Sequence, residues 1–197
     1  MKPVEINDLP TSVWLDINTG VFEPCVEISR RKVSDLAMMF ADQEAVQQLI
    51  AQGDPVVYDI RYHPFQTSTS DMALGVSTIY PGKVGDEYHM TKGHFHVRMD
   101  QPEIYFCVRG TGFLLMESKE GDFQVAEWRP GTITHIPPQY AHRVVNTGPE
   151  PLVWVASYHL AAGHDYEPII ARGFAKIVVE KDGQPVFLPN PRRPNSS

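Results

Sequence analysis

The chain has 197 residues, of which 42% are hydrophobic and 21% charged, so it is long enough for one globular domain with its own core. Its net charge is −7 and it has no basic stripe, which excludes nucleic acid as the expected partner. A small anionic substrate stays compatible with this charge, because local groups or a metal ion can balance it. The longest wholly apolar runs, such as LVWVA at 152–156, are too short to span a bilayer, so no membrane partner is expected.

The N-terminal sequence MKPVEINDLP has no apolar segment of the kind found in a secretory signal. Cys25 and Cys107 lie far apart and form no C-x-x-C pattern. Cys107 lies within an apolar run, which predicts a buried free thiol in a reducing compartment. We therefore expect a cytoplasmic protein.

Residues 34–53 have a helical pattern, with Ser34 and Asp42 as N-caps and Gly53 at the helix stop. The two predicted apolar faces consist of Leu36, Met39 and Phe40 and of Val46, Leu49 and Ile50. We expect residues 1–55 to form an extension of strand and short helix that packs on the rest of the chain.

From Val56 onward, short runs rich in β-branched and aromatic residues alternate with Gly, Pro and Asp turns. About nine strands at this spacing indicate an all-β sandwich or barrel over 56–189. The Pro-rich end, 190–197, is predicted to be a loosely ordered tail. The predicted strands are VVYDIRY, ALGVSTIY, IYFCVRG, GFLLMES, FQVAEW, RVVNTG, LVWVASYHL, AKIVVE and PVFL.

A cluster of potential metal ligands is the main chemical signal in the sequence. His94 and His96 are separated by one residue, a spacing that places both on one face of an extended strand. Glu103 opens the strand after the MDQP turn, so the three side chains can converge across a hairpin, and His142 precedes a later strand. Three imidazoles and one carboxylate suit Fe, Mn, Ni, Co or Zn with open coordination positions, which indicates catalysis.

The spacing of these residues resembles the two motifs of the cupin family. Six residues separate His96 from Glu103, more than in most cupins, and this gap, with TKGHFH, EIYF and AGHDY, is similar to the cupin-type phosphoglucose isomerases. Gln139 stands where the general motif has Gly. The likeness covers roughly 56–189 and implies a jelly-roll barrel with a short N-terminal helical segment. The motifs are Gly93-His94-x-His96 with Glu103-x6-Gly110, and Gly131-x5-Pro137-x4-His142-x3-Asn146.

The resemblance implies that His94, His96, Glu103 and His142 bind one divalent ion per chain, iron in the first place and Mn, Ni, Co or Zn otherwise. It also implies a sugar-phosphate pocket inside the barrel, with hydroxyls and backbone N–H groups holding the phosphate. The implied pocket positions are Ser77, Thr91, Gly93, Tyr105, Tyr158, His164 and Tyr166. If the strand register differs by one residue, Thr78 takes the place of Ser77. The three tyrosines can equally well be aromatic residues of the core or of the barrel rim.

The implied reaction interconverts glucose 6-phosphate and fructose 6-phosphate, as in glycolysis and gluconeogenesis. Either a base, with Glu103 best placed, moves the C2 proton to C1 through an enediol, or a hydride shifts directly between the carbons. A carboxylate on a metal is a weaker base, so the sequence leaves both routes open. His164 or a tyrosine is expected to shuttle hydroxyl protons.

Two other functions compete with this interpretation. An iron dioxygenase would use the same four ligands, although the hydroxyl-rich pocket favours a phosphosugar. A non-catalytic sugar-binding cupin is disfavoured because such modules often lose ligands that this chain keeps.

The resemblance also implies a homodimer, in which a partner covers Val13, Trp14, Val21 and Phe22. Lys92 is expected to be solvated, with at most a minor role in steering an anion towards the pocket.

Overall fold

A computed structural model describes residues 12–25, 27–66 and 71–193. Its strands are β1 (Trp14–Leu15), β2 (Phe22–Glu23), β3 (Glu27–Lys32), β4 (Val56–Gln66), β5 (Asp71–Ile79), β6 (Lys83–Val84), β7 (Glu87–Tyr88), β8 (Glu103–Arg109), β9 (Gly112–Ser118), β10 (Phe123–Trp128), β11 (Ile133–Ile136), β12 (Tyr140–Asn146), β13 (Leu152–His159), β14 (Lys176–Lys181) and β15 (Gln184–Pro189). The helices are α1 (Gln43–Ala51), α2 (Glu167–Arg172) and two 3₁₀ turns, Ser34–Met39 and Leu160–Ala162.

Among these residues the strands form antiparallel sheets that enclose a barrel. The largest has six strands in the order β11-β8-β13-β5-β4-β3, and a smaller one has the order β10-β9-β12. Strands β15-β14-β7-β6 form a further sheet, and β1 pairs with β2. The predicted all-β barrel with a short N-terminal helical segment is therefore confirmed.

Alternation along the strands decides what faces the barrel interior. In β8, Glu103, Tyr105 and Cys107 are buried, whereas Ile104 and Phe106 face outward and are exposed. Most of the apolar core lies inside the barrel, and Trp128 is its largest fully buried side chain.

The N-terminal hairpin of β1 and β2 packs on the outer face of the large sheet. Phe22 is 1% exposed and forms a small apolar cluster with Val76 and Val153. Its cover therefore comes from this chain's own sheet, in contrast to the expectation that a partner covers it. Trp14, by comparison, is 61% exposed.

The helical segment differs in part from the prediction. Asp42 caps α1 as expected, since its side chain accepts a hydrogen bond from the Ala45 N–H. The Ser34 cap is wrong: Ser34 begins a 3₁₀ turn, and its hydroxyl donates to Asp54 at 2.7 Å. The sequence pattern did not predict α2 at all.

Both predicted boundaries of the barrel also change. The predicted N-terminal extension contributes β3, which pairs with β4 and thereby forms part of the barrel wall. The described part of the predicted loose tail is fixed: Asn190 is 3% exposed and donates to Phe174 O at 2.9 Å. Residues 194–197 of that tail lie outside the described residues.

No helix in the described part of the chain is long and apolar enough to cross a membrane.

Candidate active site

The stretch 91–96 carries two of the predicted ligands and lies against β12. His94 and His142 form an isolated antiparallel bridge, with His94 N donating to His142 O at 3.3 Å and His142 N donating to His94 O at 3.1 Å. Thr91 N donates to Val144 O at 2.9 Å and extends this contact. His142 is the third residue of β12 rather than a loop residue, so its position depends on the sheet.

The structure brings the four predicted ligands together. Ligand atoms of His94, His96, Glu103 and His142 all lie within 4.8 Å of one another. Glu103 Oε2 lies 3.1 Å from His142 Nε2 and 3.3 Å from His96 Nε2. Glu103 is 5% exposed and His142 is 2% exposed, so the cluster lies inside the barrel rather than on its surface.

The orientation of the imidazoles suits a metal ion. The Nδ1 atoms of His96 and His142 point at backbone carbonyls, at 2.8 Å from Gln101 O and 3.4 Å from Tyr140 O. This leaves each Nε2 directed at the centre of the cluster, as in histidines that ligate metals. The buried Nε2 atom of His94 has no hydrogen-bond partner among the described residues, whereas His142 Nε2 faces the Glu103 carboxylate. Because buried polar atoms rarely go unpartnered, the His94 atom fits the role of a metal ligand.

The electrostatics favour the protonation state that a cation needs at two of the four residues, His94 and Glu103, whereas contacts with Glu103 and the Gln101 carbonyl outweigh burial and raise the pKa of His96. Burial lowers the pKa of His94 well below its ordinary value, and the neighbouring histidines add to this effect. Burial alone would raise the pKa of Glu103, but its contacts with His142 and His96 outweigh burial and lower it. At neutral pH the cluster therefore offers a neutral His94 and an ionised carboxylate.

Every residue predicted to contact the substrate lines one cavity of about 520 Å³ beside this cluster. Of the four clustered residues, His94, Glu103 and His142 line the cavity and His96 does not. The predicted residues that line the cavity are Ser77, Thr91, Gly93, His94, Glu103, Tyr105, His142, Tyr158, His164 and Tyr166.

The strand register distinguishes Ser77 from Thr78. Ser77 lines the cavity, whereas Thr78 faces the opposite side of β5, where its Oγ1 lies next to Gly20. The Thr91 hydroxyl accepts a hydrogen bond from Val144 N–H at 3.1 Å. Since a hydroxyl has one hydrogen of its own, this contact leaves the Thr91 O–H free to donate into the cavity.

His164 stands next to the metal cluster. Its ring centroid lies 4.4 Å from that of His94, and the ring stacks on Tyr166 at 5.8 Å and 7°. Tyr158 lies on its other side, at 6.3 Å. Burial lowers the pKa of His164, so a neutral imidazole that can both accept and donate a proton faces the cavity.

One wall of the cavity was missed in the sequence. Strand β3 contributes Glu27, Ser29 and Arg31, and β4 contributes Tyr58 and Ile60. The alternation of these positions is visible in the sequence, but it does not reveal which face points inward. All three cavity residues of β3 are polar or charged, so no apolar stripe marks the interior side.

Known proteins resemble this chain over most of its length. The family model described as glucose-6-phosphate isomerase (GPI) matches residues 30–190. Glucose-6-phosphate isomerase from Thermococcus litoralis is 42% identical over 183 residues, 93% of this chain and 96% of that protein. The Pyrococcus horikoshii protein of the same name is 40% identical over 94% and 98% of the two chains. A protein of Rhizobium meliloti, "Putative glucose-6-phosphate isomerase 2", is 38% identical over 88% of each chain.

Among solved structures, oxalate decarboxylase from Bacillus subtilis has a TM-score of 0.45 and 20% identity, and the match covers 54% of this chain and 26% of that longer chain.

An antiparallel barrel with three histidines and one glutamate converging in its interior defines the cupin class. Within that class, the chain belongs to the glucose-6-phosphate isomerase family.

Gly93 generates a first prediction, because it has a positive φ of 75° in a crowded place. A Cβ there would lie 2.6 Å from Phe174 Cε2 and 3.0 Å from His142 O. We expect Gly93→Ala to lower the free energy of unfolding by about 1–3 kcal/mol from backbone strain alone. It should also displace the adjacent His94 and lower the metal content, measured by elemental analysis.

Gly121→Ala is the matched control, since Gly121 has a φ of 93° but nothing within 4 Å of the new Cβ. This variant should lose stability from backbone strain only and keep its metal. Equal metal content in both variants would contradict the role assigned to Gly93.

Proposed function

We propose that this chain interconverts glucose 6-phosphate and fructose 6-phosphate at the buried His/Glu cluster, with one divalent ion per chain and iron as the first choice. The observation that carries the proposal is the convergence of four ligand atoms within 4.8 Å at the wall of the hydroxyl-lined cavity. Family membership supports the isomerase over the alternatives of an iron dioxygenase and a non-catalytic sugar-binding cupin.

His94, His96, Glu103 and His142 would hold the ion, with coordination positions open towards the cavity. When bound, a divalent ion supplies Lewis-acid stabilisation of the negative charge that develops on the C1 and C2 oxygens. The residues of the chain then have to bind the sugar, orient it and move the protons.

Glu103 and His164 are the proposed proton-transfer residues. Glu103 lines the cavity and its lowered pKa keeps it ionised, as a base must be, although it also weakens that base. His164, neutral and next to His94, is placed to move hydroxyl protons and to assist ring opening. A direct hydride shift uses the same binding residues without a base. Incorporation of deuterium from D₂O into the product distinguishes the enediol route from the shift.

The residues proposed to contact the substrate form two groups at different ends of the cavity. Ser77, Thr91 and the Gly93 N–H would bind the phosphate, whereas Tyr105 and Tyr158 lie close to Glu103. Anchoring the far end of the sugar holds C1 and C2 at the metal, so binding energy from the phosphate is used for positioning.

Metal dependence follows from the ligand geometry. Chelation should abolish isomerisation, and Fe²⁺, Mn²⁺ or a neighbouring ion should restore it. His142→Ala should reduce metal affinity by more than the ~10–100-fold that loss of an outer-shell partner costs. The control is His135→Ala, on the exposed side of β11 and outside the cavity, which should retain its metal. Full activity of a demonstrably metal-free preparation would contradict the proposal.

The phosphate contact of Thr91 is tested by a pair of variants. Thr91→Val removes the hydroxyl and should lower kcat/KM for fructose 6-phosphate by about tenfold or more, since a hydrogen bond to a charged group is worth roughly 1.5–3 kcal/mol. Thr91→Ser keeps the hydroxyl and should stay within a few-fold of wild type. Metal content should be unchanged in both. If Thr91→Val turns over the phosphorylated sugar like wild type, Thr91 does not bind phosphate.

We place this reaction in the cytoplasm, where Cys25 and Cys107, both free thiols in the structure, remain reduced.

We also propose that the chain forms a homodimer through the outer face of β8 and β11. Ile104, Phe106 and Ile133 are 42%, 41% and 66% exposed there, and Ile133 is the cross-strand partner of Phe106. Light scattering should give twice the 22.2 kDa of one chain. Phe106→Asp should shift the mass to the monomer, whereas Val125→Asp, at an equally exposed position of β10, should not. A monomer mass for wild type across micromolar concentrations would contradict the dimer.

A further inference from the structure

Strand β3 gives the cavity wall a charge gradient. Glu27, Ser29 and Arg31 alternate along the strand and all line the cavity. The acidic and the basic position are four residues apart along the extended strand, about 13 Å at the usual rise per residue. The two ends of this wall therefore present opposite charges to a molecule inside.

The basic end of β3 lies away from the Glu103 end of the sheet. Arg31 is the cross-strand partner of Tyr58, whereas Glu27 is the partner of Tyr62. In the neighbouring pair of strands, Ser77 is paired with Ile60, two residues along β4 from Tyr58. Arg31 thus lies one step beyond Ser77, at the end of the cavity proposed to bind phosphate.

Two cations line the cavity together with Tyr166. Lys92 Nζ lies 5.1 Å from the centroid of the Tyr166 ring. Arg31 enters the cavity beside its cross-strand partner Tyr58. Burial raises the pKa of Tyr58 to about 12, and the positive charge of Arg31 opposes this effect. Arg31 is therefore close to the Tyr58 hydroxyl.

Neither of these cations has a carboxylate partner within 4 Å in the described part of the chain. Among the same residues, the hydrogen bond that Arg31 makes runs from Nη1 to the Arg30 carbonyl, at 3.0 Å. The preceding residue differs, since the Arg30 guanidinium lies 3.8 Å from the Asp59 carboxylate on the other face of the sheet. Unpaired cations in a cavity of a chain with net charge −7 form a local site for an anion.

We propose that Arg31 is the residue that recognises the charge of the substrate, by hydrogen bonding to its phosphate group, with Lys92 adding attraction at longer range. The proposal rests on the proposed isomerase function and adds a specificity-determining residue to it. A planar guanidinium with several N–H donors matches the oxygens of a phosphate dianion, and such charge-assisted bonds are among the strongest in proteins. Neutral donors alone would leave the dianion without a counter-charge in a partly closed cavity.

The test compares Arg31→Gln and Arg31→Lys with Arg30→Gln in the metal-loaded enzyme. The binding probe is 6-phosphogluconate, a phosphorylated C6 acid that has no aldehyde or ketone to isomerise. Gluconate, the same acid without the phosphate, is the control ligand. Affinities are measured by calorimetry, and kcat/KM is measured with fructose 6-phosphate at low and high salt. Metal content and melting temperature are recorded for every variant.

Arg31→Gln should weaken 6-phosphogluconate binding and lower kcat/KM by about tenfold or more, with gluconate binding and metal content unchanged. The salt dependence of kcat/KM should also decrease, because part of the electrostatic attraction is lost. Arg31→Lys should lose less, since it keeps the charge but not the planar donor set. Arg30→Gln should change neither quantity beyond about twofold, because Arg30 is on the other face of the sheet and the buried Asp59 keeps Arg61 as its partner.

Two results would overturn the inference while leaving the proposed function intact. One is a wild-type enzyme that isomerises the sugar phosphate together with an Arg31→Gln variant that binds 6-phosphogluconate equally well. The other is an Arg31→Gln variant that loses affinity for gluconate by the same factor, which would make Arg31 a structural residue. If the metal-loaded wild type neither isomerises fructose 6-phosphate nor binds 6-phosphogluconate, the proposed function itself fails.

Discussion

The backbone pairing of His94 with His142 is the interaction on which the site depends. Residues 91–96 form no regular strand, so their position comes from the hydrogen bonds that they exchange with β12. Two of the four ligands are thus partners in one antiparallel bridge, and their separation is set by main-chain geometry rather than by side-chain packing. The third imidazole follows two residues later on the same chain segment, and Glu103 arrives on β8, across the interior of the barrel.

The same stretch is also held from behind, by a buried cation. Arg143 points away from the cavity, and its Nη2 donates to Lys92 O at 2.7 Å while the guanidinium lies 4.7 Å from the Phe174 ring. Burial lowers the pKa of Arg143 to about 10, partly offset by Glu87, so the group remains charged at neutral pH. A buried charge is stable only with such partners. Alternate residues of β12 therefore have different roles: His142 and Val144 line the cavity, whereas Arg143 supports residues 91–96 from behind. Gly93 allows residues 91–96 to approach β12 closely.

The sequence predicts the cluster of three histidines and one glutamate well because their chemistry and spacing are unusual together. Most bounds of the predicted strands hold within a few residues, and those of β9 and β10 are identical to the prediction, since their turns are marked by Gly, Asp and Pro. His142 was assigned to a strand junction rather than to β12, because the two prolines before it obscure where pairing resumes. Local sequence signals thus identify which residues form the His/Glu cluster, but they are less exact about the strand pairing that holds these residues in place.

The wall formed by β3 could not be predicted in the same way. Its sequence, EISRRK, is dominated by charge, and it lies at the edge of the sheet, where polar residues are ordinary. Only the pairing register of β3 with β4, a strand that comes much later in the sequence, shows that Arg31 faces inward and Arg30 outward. Likewise, the tail after Pro189 looks unstructured in the sequence, but Asn190 and Arg193 bind carbonyls contributed by 173–174. Such contacts arise from tertiary structure and leave no local pattern.

The proposed charge of Arg31 answers a problem that a metal centre would create for an isomerase. A divalent ion held by three histidines and one glutamate would keep part of its charge, so it would attract a phosphate dianion more strongly than the neutral oxygens at C1 and C2. A sugar phosphate could then bind with the wrong end at the metal. Hydroxyl donors alone compete poorly with an ion for a dianion, whereas the guanidinium of Arg31 would compete on the same electrostatic terms. Under the proposal, the productive orientation would depend on the difference between two anion affinities, and the distance between the two sites would set which carbons of the sugar lie at the metal.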